Sequence, residues 1–300
     1  MSAYARPVNA TDRPAYGHSG VVGGLLMACH PGPAAAVTVL VTVLAAAAGH
    51  DGLGCLLIAA AVLAGQLSVG WCNDAVDAAR DRAAGRSAKP VVSGSVGAPA
   101  VWGAATVALG LAVPLSLACG PLAGSVHLVG VGAAWAYDLG VKATVLSWLP
   151  YATGFAALPA FVTLSLPGSP WPAWWVVVCG ALVGVGAHLG NVLPDIGSDL
   201  AVGVRGWPQR LGPARVRLLL PVPLVVASAV LALAGPPPGT GGSGGVGSGV
   251  VGPVAVAVAV LTAVSGALLG RRRPEVPFIA AIAVAGIDVA MLVWRGAAIT

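Results

Sequence analysis

A chain of 300 residues in which 57% are hydrophobic and only 8% are charged is no ordinary soluble domain, where about 25% of residues carry charge. With a mean hydropathy of +0.90, and with Ala, Val, Leu and Gly far outnumbering its 3 Phe, it reads as an all-α, polytopic membrane protein whose small residues let helices approach closely. The net charge of +5 does not point to nucleic acid, because the basic residues form short clusters without the interleaved aromatics of a single-strand binder.

Residues 1–20 are polar and carry no signal-peptide pattern, which predicts a cytoplasmic N-terminal segment followed by one transmembrane domain over 21–300. Nine spans are expected, at roughly 21–48, 53–80, 98–118, 121–140, 143–166, 173–199, 213–235, 250–270 and 276–295, each long enough for a hydrocarbon core of about 30 Å. His30-Pro31-Gly32-Pro33 should kink the first. Residues 235–249 read as a flexible linker. The five cysteines have no paired or metal-type spacing, so free thiols and no zinc are expected. If the N-terminus is cytoplasmic, 14 of the 15 Lys and Arg fall on that side and only Arg295 lies opposite, as the positive-inside rule requires.

Three oxygen-bearing side chains end the second span. Asn73, Asp77 and Asp81 are spaced i, i+4, i+8, a stripe along one helix face. Carboxylates about 6 Å apart repel unless a cation lies between them, and hard oxygen ligands suit Mg²⁺. Arg82, Arg86 and Lys89 follow and can hold an anion beside that cation. The pattern recurs 118 residues later as Asn191, Asp195 and Asp199, and the same offset relates Gly85 to Gly203, Pro90 to Pro208 and Gly94 to Gly212. This predicts an internal duplication, with half-repeats at about 21–140 and 143–270 plus a ninth helix. Both stripes map to cytoplasmic span ends, so one shared site is expected, and acids at membrane depth mark function. Tyr137 and Lys142 end the fourth span on the same side, placing a hydroxyl and a point charge for phosphate. Trp71 is a candidate cavity wall. His188, one turn before Asn191, and His30 are candidate cavity residues that also fit packed histidines, and Asp288 fits either a structural pair or a catalytic group.

As a set, Asn73-Asp-x-x-Asp77-x-x-x-Asp81, the loop Arg86-Ser-Ala-Lys89-Pro90…Ser93-Gly94, Tyr137…Lys142 and Asp195-x-x-x-Asp199 with Gly203…Arg205 resemble the UbiA superfamily of intramembrane prenyltransferases across roughly residues 20–295. The resemblance implies a nine-helix bundle, and with the distribution of Lys and Arg the expectation is a multi-pass protein of the cell membrane with its active site at the cytoplasmic face. It implies Mg²⁺ and an isoprenyl diphosphate with its tail in a lipid-open cavity. It assigns Asn73, Asp77, Asp81, Asp195 and Asp199 to metal, and Arg86, Lys142 and Arg205 to the diphosphate. Lys89, Tyr137, Asn191 and His188 join the substrate-binding set. The reaction implied is ionisation to an allylic cation, captured by a lipophilic or aromatic acceptor. The alternatives are a membrane terpene cyclase, in which the substrate's own alkenes capture the cation, and a transporter. Members that prenylate aromatic acids commonly carry an Arg in the first span, where this chain has Leu26-Met-Ala-Cys-His30-Pro-Gly-Pro; a carboxylated acceptor is not implied.

Overall fold

The computed structural model describes residues 18–233, 248–269, 273, 276–295 and 299. The expected linker up to residue 247, most of the N-terminal segment and the basic residues Arg271 and Arg272 therefore lie outside the described residues, and α13 begins within the last two residues of that expected linker. The regular secondary structure of the described residues is entirely helical. A helix or helix pair stands at each expected span: α1 (His18–Ala28) with α2 (Pro31–Ala47), α3 (Gly52–Ala83), then past the short α4 (Pro90–Ser93), α5 (Ala98–Ala118), α6 (Pro121–Leu139), α7 (Leu149–Leu164) and α8 (Trp174–Val192) with α9 (Ile196–Ala201). A single turn, α10 (Trp207–Leu211), precedes α11 (Pro213–Leu219) with α12 (Pro221–Leu233), α13 (Ser248–Leu269) and α14 (Val276–Arg295). Among these residues five helices are long and apolar enough to cross a membrane, or six if the bent α1–α2 pair is one span. Leucines such as Leu56, Leu111 and Leu261 stay exposed on the outside, a surface suited to lipid.

Proline sets most helix starts. It occupies the first helical turn of α2, α4, α5, α6, α7, α10 and α11, where its missing N–H costs nothing. The expected kink is a 58° bend between α1 and α2, with His30 in the left-handed region at φ 54° immediately before Pro31. Small residues then set the packing. A Cβ at Gly70 would stand 2.2 Å from the Cys29 carbonyl oxygen, and one at Gly184 2.3 Å from that of Tyr151. The helix backbones meet where only hydrogen fits.

Helix neighbours run α2–α3–α6–α7–α8–α12–α14 and back to α2, with α5 against α3 and α6 and α13 against α12 and α14. This ring encloses a cavity. The C-terminal ends of α3, α6 and α8 and the start of α7 meet at one end of it, where helix carbonyls favour cationic groups.

Both acidic segments close in the same way. After the first, Ala84 N bonds Arg80 O, Gly85 N bonds Arg82 O and Arg86 N bonds Asp81 O; after the second, Val202 bonds Ser198, Gly203 bonds Leu200 and Val204 bonds Asp199, each pair offset by 118 residues. Gly85 and Gly203 both take positive φ, 71° and 86°. The stripes themselves differ. The first lies on one continuous helix, whereas Pro194 converts Leu193–Asp195 into a 3₁₀ turn, so Asn191 and Asp199 do not share a regular α-helical face.

Candidate active site

The cavity has a volume of about 930 Å³ and two chemically distinct ends. Its body is hydrocarbon, with Val37, Val69, Val131, Leu158 and Leu224 among its walls. Its mouth gathers Asn73, Asp77, Asp81, Arg86, Lys89, Tyr137, Lys142, Asn191, Asp195 and Asp199, ten of the residues the sequence singled out.

Arg86 joins the two stripes. Its guanidinium donates to Asp81 at 2.9 Å and to Ser198 Oγ at 2.8 Å, and lies 3.1 Å from Asp195 and 3.3 Å from Asp199. Burial disfavours its charge, but Asp195, Asp81 and Asp199 outweigh that and hold its pKa above the ordinary guanidinium value. Lys142 is buried, with Nζ 2.6 and 2.7 Å from the two Asp77 oxygens, and Arg80 donates to Asp77 at 2.8 Å. The turn that carries Lys142 is braced from the second half: a Cβ at Gly206 would stand 2.4 Å from the Lys142 carbonyl oxygen, and Trp207 N donates to Ser147 Oγ at 3.1 Å.

Four residues that sequence reasoning passed over complete this mouth. Asp138, buried, accepts from Asn73 at 2.8 Å and lies 4.0 Å from Lys142. Asp74, also buried, accepts from Lys89 at 2.7 Å with His30 Nε2 3.3 Å away, fastening the loop after α3 to the α1–α2 bend. Gln209 donates to Asp199 at 2.8 Å. Tyr151 accepts from Asn191 at 2.9 Å and packs edge-on to Tyr137 with centroids 5.2 Å apart. The helical neighbours Asn73 and Asp77 hinted at the first two, since Asp74 adjoins that stripe and Asp138 sits one turn before Lys142.

Other expected residues lie elsewhere. Arg205 and Arg82 are exposed and line no part of the cavity, because each extends from a segment end toward solvent. His188 is behind the wall, its Nε2 3.1 Å from Ser147 Oγ and its ring edge-on to Tyr137. It is a packed histidine. Trp71 turns away, donating to the Leu25 carbonyl at 2.8 Å and packing against α1. Asp288 accepts from Ser228 Oγ, a buried link between α14 and α12. His30, in contrast, does line the cavity.

Among the described residues no three Asp, Glu, His or Cys side chains converge as a ready-made metal site. The expected ligand stripes are instead parted by basic side chains, Lys142 on Asp77 and Arg86 among Asp81, Asp195 and Asp199. Six carboxylates (Asp74, Asp77, Asp81, Asp138, Asp195, Asp199) surround the mouth with four bases (Arg80, Arg86, Lys89, Lys142), an excess of acid. Oxygen donors in excess fit a hard divalent cation, and Mg²⁺ ordinarily uses one or two carboxylates together with substrate phosphates rather than an all-protein cage.

Fold and site together define a multi-pass membrane bundle with an apolar cavity capped by acids and bases. The chain belongs to the UbiA prenyltransferase family, whose model matches residues 35–291. Its fold is similar to that of a UbiA homolog from Archaeoglobus fulgidus solved with DMAPP and Mg²⁺, at 14% identity and a TM-score of 0.66 over 90% of this chain and 97% of that one. A UbiA homolog from Aeropyrum pernix K1 in the apo state matches at 20% identity and 0.63, over 85% and 96%. A structure of digeranylgeranylglyceryl phosphate synthase matches at 15% and 0.63, over 93% and 98%. Comparison with curated protein sequences gives no match.

Proposed function

We propose that the chain transfers a prenyl group from an isoprenyl diphosphate to a lipophilic acceptor, with Mg²⁺, at the cytoplasmic face of the cell membrane. The observation that carries this reading is Arg86 joining both acidic segments at the mouth of a hydrocarbon cavity. A ligand with a charged head and an apolar tail satisfies both ends. The solved A. fulgidus relative holds DMAPP and Mg²⁺, which supports the same ligand class here. The cytoplasmic assignment rests on the distribution of Lys and Arg. The recurrence of backbone hydrogen bonds at an offset of 118 residues supports duplicated halves that supply one acidic segment each.

Asn73, Asp77, Asp81, Asp195 and Asp199 would hold the metal. Bound there, Mg²⁺ neutralises diphosphate oxygens and makes them a better leaving group. Arg86 and Lys142 are placed to exchange carboxylate partners for phosphate oxygens, stabilising negative charge as the C–O bond breaks. Tyr137 and Tyr151 offer π-faces beside the mouth, suited to a developing allylic cation. The apolar walls hold the tail and keep water from the cation. The acceptor's electron pair then forms the new bond and its proton leaves to solvent.

The test is incubation of the purified protein and Mg²⁺ with C10, C15 and C20 diphosphates, with and without lipophilic acceptors, followed by mass spectrometry. A prenylated acceptor is expected. Cyclic hydrocarbon formed without acceptor would replace this reading with a terpene cyclase.

A further inference from the structure

Two polar side chains interrupt the hydrocarbon wall of the cavity far from its mouth: Gln66 on α3 and His127 on α6. Gln66 lies eleven residues before Asp77 on the continuous helix α3, and His127 eleven before Asp138 on α6, so each stands about 16 Å from the acid on its own helix at a rise of about 1.5 Å per residue. His127 is only 3% exposed, stacks on Phe161 with centroids 4.6 Å apart, and has Nδ1 2.8 Å from Ser116 Oγ. The Ser116 hydroxyl donates its single proton to the Ala112 carbonyl at 2.5 Å, so toward the imidazole it can only accept. Nδ1 carries the ring proton, and Nε2 presents a bare lone pair. Gly65 lets that nitrogen rest against α3 beside Gln66, since a Cβ at position 65 would stand 3.4 Å from Nε2. Among the described residues neither Nε2 nor the Gln66 amide has a protein partner. Nor is Nε2 sealed in the packing, as His188 Nδ1 is; it reaches the cavity.

An imidazole lone pair and a primary amide among hydrocarbon walls cost free energy until a partner reaches them. Nε2 needs a proton donor, whereas the amide offers N–H groups and an oxygen. One hydroxyl meets both demands, donating to Nε2 and accepting from the Gln66 amide. An ether or a ketone has no proton for Nε2, an alkane has neither function, and a carboxylate or ammonium would bring a charge without a counter-charge. The neighbouring walls, among them Val69, Val131 and Leu158, require the rest of the molecule to be apolar. The cavity is open to the outside over part of its wall, so a lipid enters from the bilayer and its chain can extend back out.

We propose that Gln66 and His127 form a second binding site in the cavity, separate from the acidic mouth, which takes the hydroxyl of a neutral membrane lipid alcohol. Ser116 sets the tautomer that lets His127 accept, Gln66 donates to the same oxygen, and the hydrocarbon lies along the apolar wall. The site uses neither Mg²⁺ nor diphosphate and stands independently of the reaction assigned to the mouth.

The test is equilibrium binding of two probes to the purified full chain without Mg²⁺ or diphosphate: dodecanol carrying a photoreactive diazirine beside its hydroxyl, and the methyl ether of the same molecule. Photolysis and mass spectrometry of the labelled peptides then locate the bound hydroxyl end. The alcohol should bind at least about tenfold more tightly than the ether and should label α3 and α6 around Gln66 and His127. The double variant Gln66→Leu, His127→Phe, which keeps bulk and removes both polar groups, should bring the two probes within about threefold of each other. Ser116→Ala, which leaves Nδ1 without its acceptor and frees the tautomer, should reduce the preference by a smaller factor. Equal affinity of the wild type for alcohol and ether would overturn the site and leave water as the partner of both groups. Labelling confined to the mouth would overturn it too, as would an undiminished preference in a double variant that elutes as wild type on gel filtration. Should that variant fail to fold, the alcohol-to-ether ratio and the label position in the wild type decide.

Discussion

Arg86 is the residue on which both acidic segments depend, because removing it leaves Asp81, Asp195 and Asp199 facing each other with no cation between them. Asp77→Ala and Asp195→Ala should each reduce turnover by at least about a hundredfold, since electrostatic groups at a leaving charge contribute about that much, while circular dichroism and gel filtration in detergent remain unchanged. More than a few per cent of wild-type turnover in either variant would contradict a site built from both segments. Lys142→Ala should be as severe, because Lys142 is buried against Asp77 and its loss leaves that carboxylate without its closest partner. Arg205→Ala, on an exposed side chain outside the cavity, should keep turnover within about twofold, as surface changes usually do. A loss beyond tenfold would mean that Arg205 reaches the diphosphate. These contrasts also mark what sequence could reveal at this scale. Asn73, Asp77 and Asp81 share a helix face, so spacing alone grouped them. Arg82, Arg205, Trp71 and His188 stand outside the cavity lining, because side chains at segment ends and behind a wall take directions set by packing, which spacing does not encode. Asp74 and Asp138 escaped notice because their partners, Lys89 and Asn73, lie 15 and 65 residues away.

At the scale of elements, the apolar spans and the break at His30-Pro31 were legible, because hydropathy and backbone chemistry are local. The interruption of the second stripe was half legible: Pro194 stood in the sequence, but the fixed spacing of Asn191, Asp195 and Asp199 concealed that a 3₁₀ turn changes their relative directions. Beyond the one shared mouth, which helices touch was not legible, and glycines such as Gly70 and Gly184 carry those contacts. Gly184→Val should push α8 from Tyr151 on α7, costing about 1–3 kcal/mol as overpacking does, read as a lower melting temperature in detergent. A melting temperature equal to wild type would show that α7 and α8 do not meet backbone to backbone. The loops after α3 and α9 must also share one membrane face. Ser87→Cys and Arg205→Cys should label from the cytoplasmic side, and Ser169→Cys, between α7 and α8, from the other. Labelling of the first two from opposite faces would end the shared-site account.

For the whole molecule, the central claim is that two halves of the chain close around one charged ligand head. The mouth carries more carboxylates than bases and no preassembled cluster of three metal ligands among the described residues, so cation and diphosphate should complete each other's site. Mg²⁺ alone binds weakly through carboxylates that lysine and arginine already neutralise. A diphosphate alone meets repelling acids. Together they should be positively coupled, because each ligand that binds only the folded state stabilises it by mass action. The direct measurement is thermal unfolding of the purified protein with Mg²⁺, with a non-hydrolysable prenyl diphosphate, and with both. The combined shift should exceed the sum of the separate shifts, Asp199→Asn should reduce that excess, and Arg86→Ala should weaken the diphosphate response while largely sparing that to Mg²⁺ alone. Strictly additive shifts in the wild type would contradict the single shared site.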